Sequence, residues 1–99
     1  MILKALSWRP MHGFGVAKWI RQTTTDVLQI EDSALYPALH RMEHRGWIDA
    51  EWGVTENKRR AKYYRLTTDG RKELRARVAN WDRYASAVTK VIHATTQPG

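Results

Sequence analysis

The spacing of apolar residues changes twice along the chain, and the resulting order of segments constrains the fold more than any other feature. Up to Arg45 the apolar residues recur every three or four positions, as on amphipathic helices. Residues 48–54 alternate apolar and polar side chains, and residues 61–66 are rich in tyrosine, both typical of strands. The helical spacing returns at residue 67. This order predicts a mainly α-helical domain that contains a small β-hairpin.

Three helices are predicted before the strands. A short one covers residues 1–8 and stops before the helix breaker Pro10, and a second covers residues 13–22. A third covers residues 32–45 and is followed by Gly46, which favours a left-handed stop. Three helices followed by a hairpin are typical of a winged helix-turn-helix domain, which we place at residues 1–66.

The third helix has two contrasting faces at about 100° per residue. One face is apolar and is predicted to be buried: Leu35, Ala38, Leu39 and Met42. The other face is polar and is predicted to point outward: Ser33, Pro37, His40, Arg41 and His44. A helix with a polar outer face fits the major groove of duplex DNA.

Positive charge is concentrated in the second half of the chain. The 99 residues contain 17 Lys and Arg against 10 Asp and Glu, a net charge of +7, and residues 51–99 hold 11 of the basic residues. Five cations fall within residues 58–65, at and just after the predicted hairpin tip. Such density repels itself unless anions neutralise it, so we predict a polyanionic partner, double-stranded DNA.

The last predicted helix begins at Thr67 or Thr68 and carries a heptad seam. Apolar residues recur at alternating steps of four and three: Leu74, Val78, Trp81, Ala85, Val88 and Ile92. A stripe this narrow packs against another helix, and we expect that helix in a second copy of the chain. Residues 67–99 are therefore predicted to form a dimerisation helix that makes one compact unit with residues 1–66. Trp81 is also a candidate contact for a flat aromatic ligand, with interface packing as the favoured alternative.

Composition excludes several other classes of protein. With no cysteine, disulfides and thiolate metal sites are excluded, and no apolar window is long enough to span a membrane. We expect a cytoplasmic protein with no cofactor and no membrane partner. Most of the five tryptophans are expected in the core, with Trp47 and Trp52 against the sheet.

Three segments resemble the PadR family of transcriptional regulators: residues 10–16 (PMHGFGV), 33–43 (SALYPALHRME) and 60–67 (RAKYYRLT). The resemblance implies bacterial, dimeric winged-helix proteins, mostly repressors, whose C-terminal helices form the dimer and many of which respond to aromatic effectors. Carried over by position, the resemblance implies DNA-binding residues at the start of the second helix, on the third helix, which is the recognition helix of the family, and on the hairpin, which is its wing. These residues are His12, Gly13, Ser33, Tyr36, Pro37, His40, Arg41, Lys58, Arg59, Arg60 and Lys62. Phe14 stands where the family often has tyrosine.

Two other functions stay open from the sequence. His40-x-x-Glu43-His44 matches the inverted zincin pattern of a zinc metallohydrolase, although no third ligand is evident. The basic hairpin also suits an interaction module that docks an acidic protein or RNA. We predict a non-enzymatic, sequence-specific DNA-binding regulator that represses transcription as a homodimer on a two-fold operator, with an aromatic small molecule as its candidate effector.

Overall fold

The computed structural model describes all 99 residues and contains four helices and three strands. In chain order these are α1 (Ile2–Leu6), β1 (Met11–His12), α2 (Gly13–Thr23), α3 (Asp32–His44), β2 (Ile48–Val54), β3 (Arg60–Leu66) and α4 (Thr68–Ile92). The predicted mainly helical fold with a hairpin is confirmed. Gly46 follows α3 with a φ of 77°, the left-handed stop expected at that position.

The sheet has one strand more than the sequence predicts. β1 pairs with β3 in an antiparallel sense, with Met11 opposite Tyr64 and His12 opposite Tyr63, so the strand order is β1-β3-β2. A strand of two residues is too short to show an alternation of apolar and polar side chains, which is why the sequence predicts only the hairpin. The extra strand ends where α2 begins and therefore ties the first turn of α2 to the sheet.

The core is small and mostly aliphatic, with Tyr64 as its one aromatic residue, and it contains no buried charged side chain. Its twelve residues come from the first three helices and one face of the sheet: Ile2, Leu3, Ala5, Leu6, Met11, Val16, Ile20, Leu35, Leu39, Ile48, Tyr64 and Leu66. The predicted buried face of the third helix is confirmed, since Leu35 and Leu39 are fully buried. Burying this face fixes the polar face of α3 outward.

The expectation that most tryptophans lie in the core is wrong. Trp8, Trp52 and Trp81 are 64%, 57% and 63% exposed, and Trp19 and Trp47 lie half-buried at the edge of the core. The physical reason is size: the aliphatic residues fill a core this small, and a ring as large as indole packs only at its margin.

The first turn of α4 is fixed to the turn between α3 and β2. Thr67 caps the helix by accepting the Gly70 N–H at 3.0 Å, and its hydroxyl donates to the Gly46 carbonyl at 2.6 Å. A Cβ at Gly70 would lie 1.9 Å from the Trp47 carbonyl oxygen, so only glycine permits this approach. Gly70 is also the only buried residue of α4. Leu74 still packs against the core and Arg77 lies over the Trp47 ring, and beyond them the helix extends away from the body. The whole chain measures 64 × 29 × 22 Å.

Candidate nucleic-acid interface

The outer face of α3 carries the predicted groove-facing residues. Ser33, Pro37, His40 and Arg41 are all exposed, as the helical spacing predicts, and Tyr36 is 46% exposed. No ion pair within the chain involves the polar or charged side chains of this face: Ser33, His40, Arg41 and His44. The face is therefore available to a partner.

The start of α2 lies directly beside α3. His12 caps α2, its Nδ1 accepting the Gly15 N–H at 2.9 Å. A Cβ at Gly13 would lie 2.7 Å from Tyr36 Cε1, so the tyrosine ring packs against the glycine at the first turn of α2. The structure thereby brings together three residues of the predicted DNA-binding set: His12, Gly13 and Tyr36. Helix N-termini favour anions, so this junction suits a phosphate group.

The wing is the hairpin formed by β2 and β3. Its tip is a tight turn that carries two cationic side chains without an acidic partner. The Thr55 hydroxyl accepts the Arg59 N–H at 3.2 Å, and Lys58 takes a left-handed φ of 59°. Lys58 and Arg59 are exposed and form no ion pair. They therefore project positive charge into solvent at the end of the hairpin.

The other wing cations have partners inside the chain. The Arg60 guanidinium lies 4.6 Å from the centre of the Trp52 ring, a cation–π contact. Arg65 forms two hydrogen bonds with Asp49 across the hairpin, at 3.0 and 3.2 Å. Lys62 Nζ lies 3.0 Å from Glu43 Oε1 on α3, and this hydrogen bond raises the pKa of Lys62 above its ordinary value. The five cations that look alike in the sequence thus occupy different environments.

An open groove joins the start of α2, Tyr36 of α3 and the wing tip. Its lining holds one acidic residue, Glu56, and five basic residues. The basic residues are Arg9, Lys18, Arg59, Arg60 and Lys62. Sequence reasoning missed Lys18 and Trp52 as members of this surface. A single lysine on an exposed helix face carries no pattern, and Trp52 was expected in the core. The groove brings together part of the predicted set from all three elements, and five predicted residues lie outside its lining: Ser33, Pro37, His40, Arg41 and Lys58.

The seam of α4 is exposed to solvent in the single chain. Val78, Trp81 and Ile92 are 46%, 63% and 69% exposed, while the other three seam residues are half-buried: Leu74, Ala85 and Val88. The Trp81 ring lies 5.9 Å from the Tyr84 ring, tilted by 41°. The stripe from Val78 to Ile92 thus has no cover within one copy of the chain, whereas Leu74 packs against the core of its own chain.

The zincin-like pattern does not form a ligand cluster. His40 and His44 are exposed, Glu43 is bonded to Lys62, and no three His, Asp or Glu side chains lie close enough to share a metal ion.

None of the four helices combines the length and the hydrophobicity of a membrane-spanning segment.

Known proteins share both the sequence pattern and the fold. A transcriptional regulator from Clostridium thermocellum is 31% identical, with a TM-score of 0.81 over 90% of this chain and 86% of that one. A PadR family regulator from Eggerthella lenta is 29% identical, with a TM-score of 0.77 over 95% and 82% of the two chains. A PadR family regulator from Clostridium difficile is 24% identical and shares the fold, with a TM-score of 0.80 over 92% and 93%.

The family assignment covers both the wing and the start of α4. The profile of the transcriptional regulator PadR-like family matches residues 2–76. A family of transcription regulators is not a family of enzymes, which decides against the zinc hydrolase. The chain belongs to the PadR-like family of transcriptional regulators.

Proposed function

We propose that this chain represses transcription by binding a two-fold DNA operator as a homodimer. The observation that carries the proposal is the groove lined by Gly13, Tyr36 and Arg59, because it places cations that can bind phosphate beside α3, whose exposed outer face can read bases. The proposed contacts are His12, Gly13, Ser33, Tyr36, Pro37, His40, Arg41, Lys58, Arg59 and Arg60. Occupying an operator in this way blocks access to it, and repression follows the common role of the family.

The exposed seam of α4 supports the homodimer. An apolar stripe that includes Val78 and Trp81, each close to half exposed or more, is costly to leave in water. Covering it with the same stripe of a second copy removes that cost and gives a two-fold axis. The paired chains then present two α3 helices, which matches an operator made of two related half-sites.

The effector we propose is a flat aromatic molecule that contacts Trp81. The ring of Trp81 has Tyr84 as its neighbour and is 63% exposed, so it offers an aromatic surface within the proposed dimer interface. A ligand bound there changes how the two α4 helices pack and so changes the distance between the two α3 helices.

Selection of bound sequences from a random duplex pool tests DNA binding and symmetry together. We expect the recovered sequences to contain an inverted repeat, and the affinity to fall steeply as salt is raised. Competition with single-stranded RNA and with a polyglutamate peptide provides the control. Equal affinity for all three polymers would favour a docking module for RNA or acidic proteins and would contradict the proposed function.

A further inference from the structure

One ion pair joins the predicted recognition helix to the wing. Glu43 lies near the C-terminal end of α3 and Lys62 lies on β3, with Lys62 Nζ 3.0 Å from Glu43 Oε1. The other three ion pairs do not involve α3: Arg21 with Asp26, Arg65 with Asp49, and Arg77 with Glu73. The Glu43–Lys62 pair is therefore the charged link between the two elements that are proposed to contact DNA.

The surroundings of Lys62 hold its ammonium group on the α3 side of the sheet. Lys62 lies opposite Trp52 in the strand register, and its Nζ is 5.5 Å from the centre of the Tyr64 ring. Tyr64 is a core residue that is 7% exposed, so the ring beneath Lys62 is fixed by packing. The lysine thus has a carboxylate at its end and an immobile ring along its side.

This environment differs from that of the wing tip. The side chains of Lys62 and Glu43 are 35% and 34% exposed, whereas Arg59 is exposed and has no acidic partner. A cation whose charge is already neutralised by a carboxylate is not free to neutralise a phosphate, so it releases few of the counterions that are condensed on the DNA. Lys62 and Arg59 should therefore contribute differently to binding, although both are basic residues of the same hairpin.

We propose that Glu43 is a positioning residue for DNA recognition, which fixes the wing against α3 through Lys62 and keeps Lys62 out of the phosphate-contacting set. The inference rests on the proposed function and replaces the role that the sequence resemblance implies for Lys62. The cations of residues 58–65 that meet phosphate are then Lys58, Arg59 and Arg60. The pair sets the geometry of recognition and not the stability of the fold, because a partly exposed ion pair contributes little to stability.

The first experiment compares K62M with R59M, each of which removes one wing cation. Affinity for a 30-base-pair duplex of arbitrary sequence is measured across a range of salt concentrations, and the slope of log affinity against log salt is recorded. We expect R59M to reduce the magnitude of the slope by about 0.9 per subunit, or about 1.8 for the proposed homodimer, because each copy loses one phosphate contact. K62M is expected to leave the slope unchanged, and K62Q serves as a second variant if K62M folds poorly by circular dichroism.

The second experiment compares E43Q with D49N, since each removes a carboxylate that is paired with a cation of β3. The readout is discrimination, the ratio of affinities for the best selected duplex and a scrambled duplex of equal length. We expect E43Q and K62M each to reduce discrimination roughly fivefold and the double variant to lose no more than either single one, as for residues that act as a unit. D49N, whose pair does not touch α3, is expected to retain discrimination.

The possible results separate this inference from the proposed function. A slope reduction in K62M equal to that in R59M would place Lys62 on phosphate and overturn the inference, while DNA binding itself would stand. Fully additive losses in E43Q and K62M, or an unchanged discrimination in both, would also overturn it. Failure of the unaltered chain to bind any duplex at low salt would contradict the proposed function and remove the basis of the inference with it.

Discussion

At the scale of single residues, neighbours in sequence differ in what they can offer a partner. Arg59 projects from the wing tip, Arg60 stacks on Trp52, and Lys62 is bonded to Glu43. The sequence predicts the positive charge of this stretch but not its division, because Glu43 is separated from Lys62 by 19 positions. Contacts between residues so far apart depend on how α3 packs against the sheet, which no local pattern encodes.

Removing Arg59 and Arg60 from the wing tests the electrostatic part of DNA binding. We expect R59A with R60A to weaken binding to all duplexes to a similar degree and to reduce the magnitude of the salt slope by about 2 per subunit, since each copy in the proposed homodimer loses two phosphate contacts. The measurement is the affinity by fluorescence anisotropy at several salt concentrations. The matched control is R75A with R83A, which removes two exposed cations from α4 and should leave the slope unchanged.

At the scale of elements, periodicity predicts well where a face is long enough to show it. The apolar side of α3 and the start of α4 lie where their spacing places them, with Leu39 buried and Thr67 as the cap. β1 could not be predicted, because Met11 and His12 form a strand only by pairing with β3. The contact of Gly13 with Tyr36 likewise depends on packing between two helices. Regular elements can therefore be predicted from the sequence, and the junctions between them cannot.

Two glycines at equivalent helix positions should respond differently to substitution. Gly15 and Gly70 each donate an N–H to the capping side chain of their helix, but a Cβ at Gly15 would meet His12 Cε1 at 3.4 Å, an ordinary contact. At Gly70 the Cβ would lie 1.9 Å from a backbone oxygen that cannot move aside. We expect G70A to lower the free energy of unfolding by about 3 kcal/mol.

Chemical denaturation followed by circular dichroism measures this difference, with G15A as the control. G15A should change the free energy of unfolding by less than about 1 kcal/mol, because alanine is the better helix former. Equal stability of G70A and the unaltered chain would mean that α4 is not fixed at the Trp47 carbonyl.

At the scale of the whole molecule, the arrangement of α4 determines how copies of the chain can meet. α4 is 25 residues long, and its apolar stripe from Val78 to Ile92 has no cover within one copy. The heptad spacing predicts this stripe directly from the sequence. The exposure of its residues depends on the direction in which α4 leaves the body, and that direction is set by the contacts of Gly70, Leu74 and Arg77.

A charge placed on the seam should separate the proposed dimer. We expect W81D to be monomeric, because an aspartate buried in an apolar interface has no partner for its charge. A79D is the matched control, since Ala79 is exposed on the opposite side of the same helix. Sedimentation velocity distinguishes the two forms, and a dimeric W81D would show that the seam is not the interface.

The attachment of α4 at a single end gives the helix a long lever arm. From Arg77, whose guanidinium still lies 4.9 Å from the centre of the Trp47 ring, to Ile92 the helix extends about 22 Å, so a tilt of roughly 5° at its base displaces the far end by about 2 Å. The base of that lever is the turn that leads from α3 into β2, held by Thr67 on the Gly46 carbonyl. In the proposed homodimer, a small change in the crossing angle of two such helices would therefore alter the distance between the two α3 helices by a sizeable part of one base-pair step.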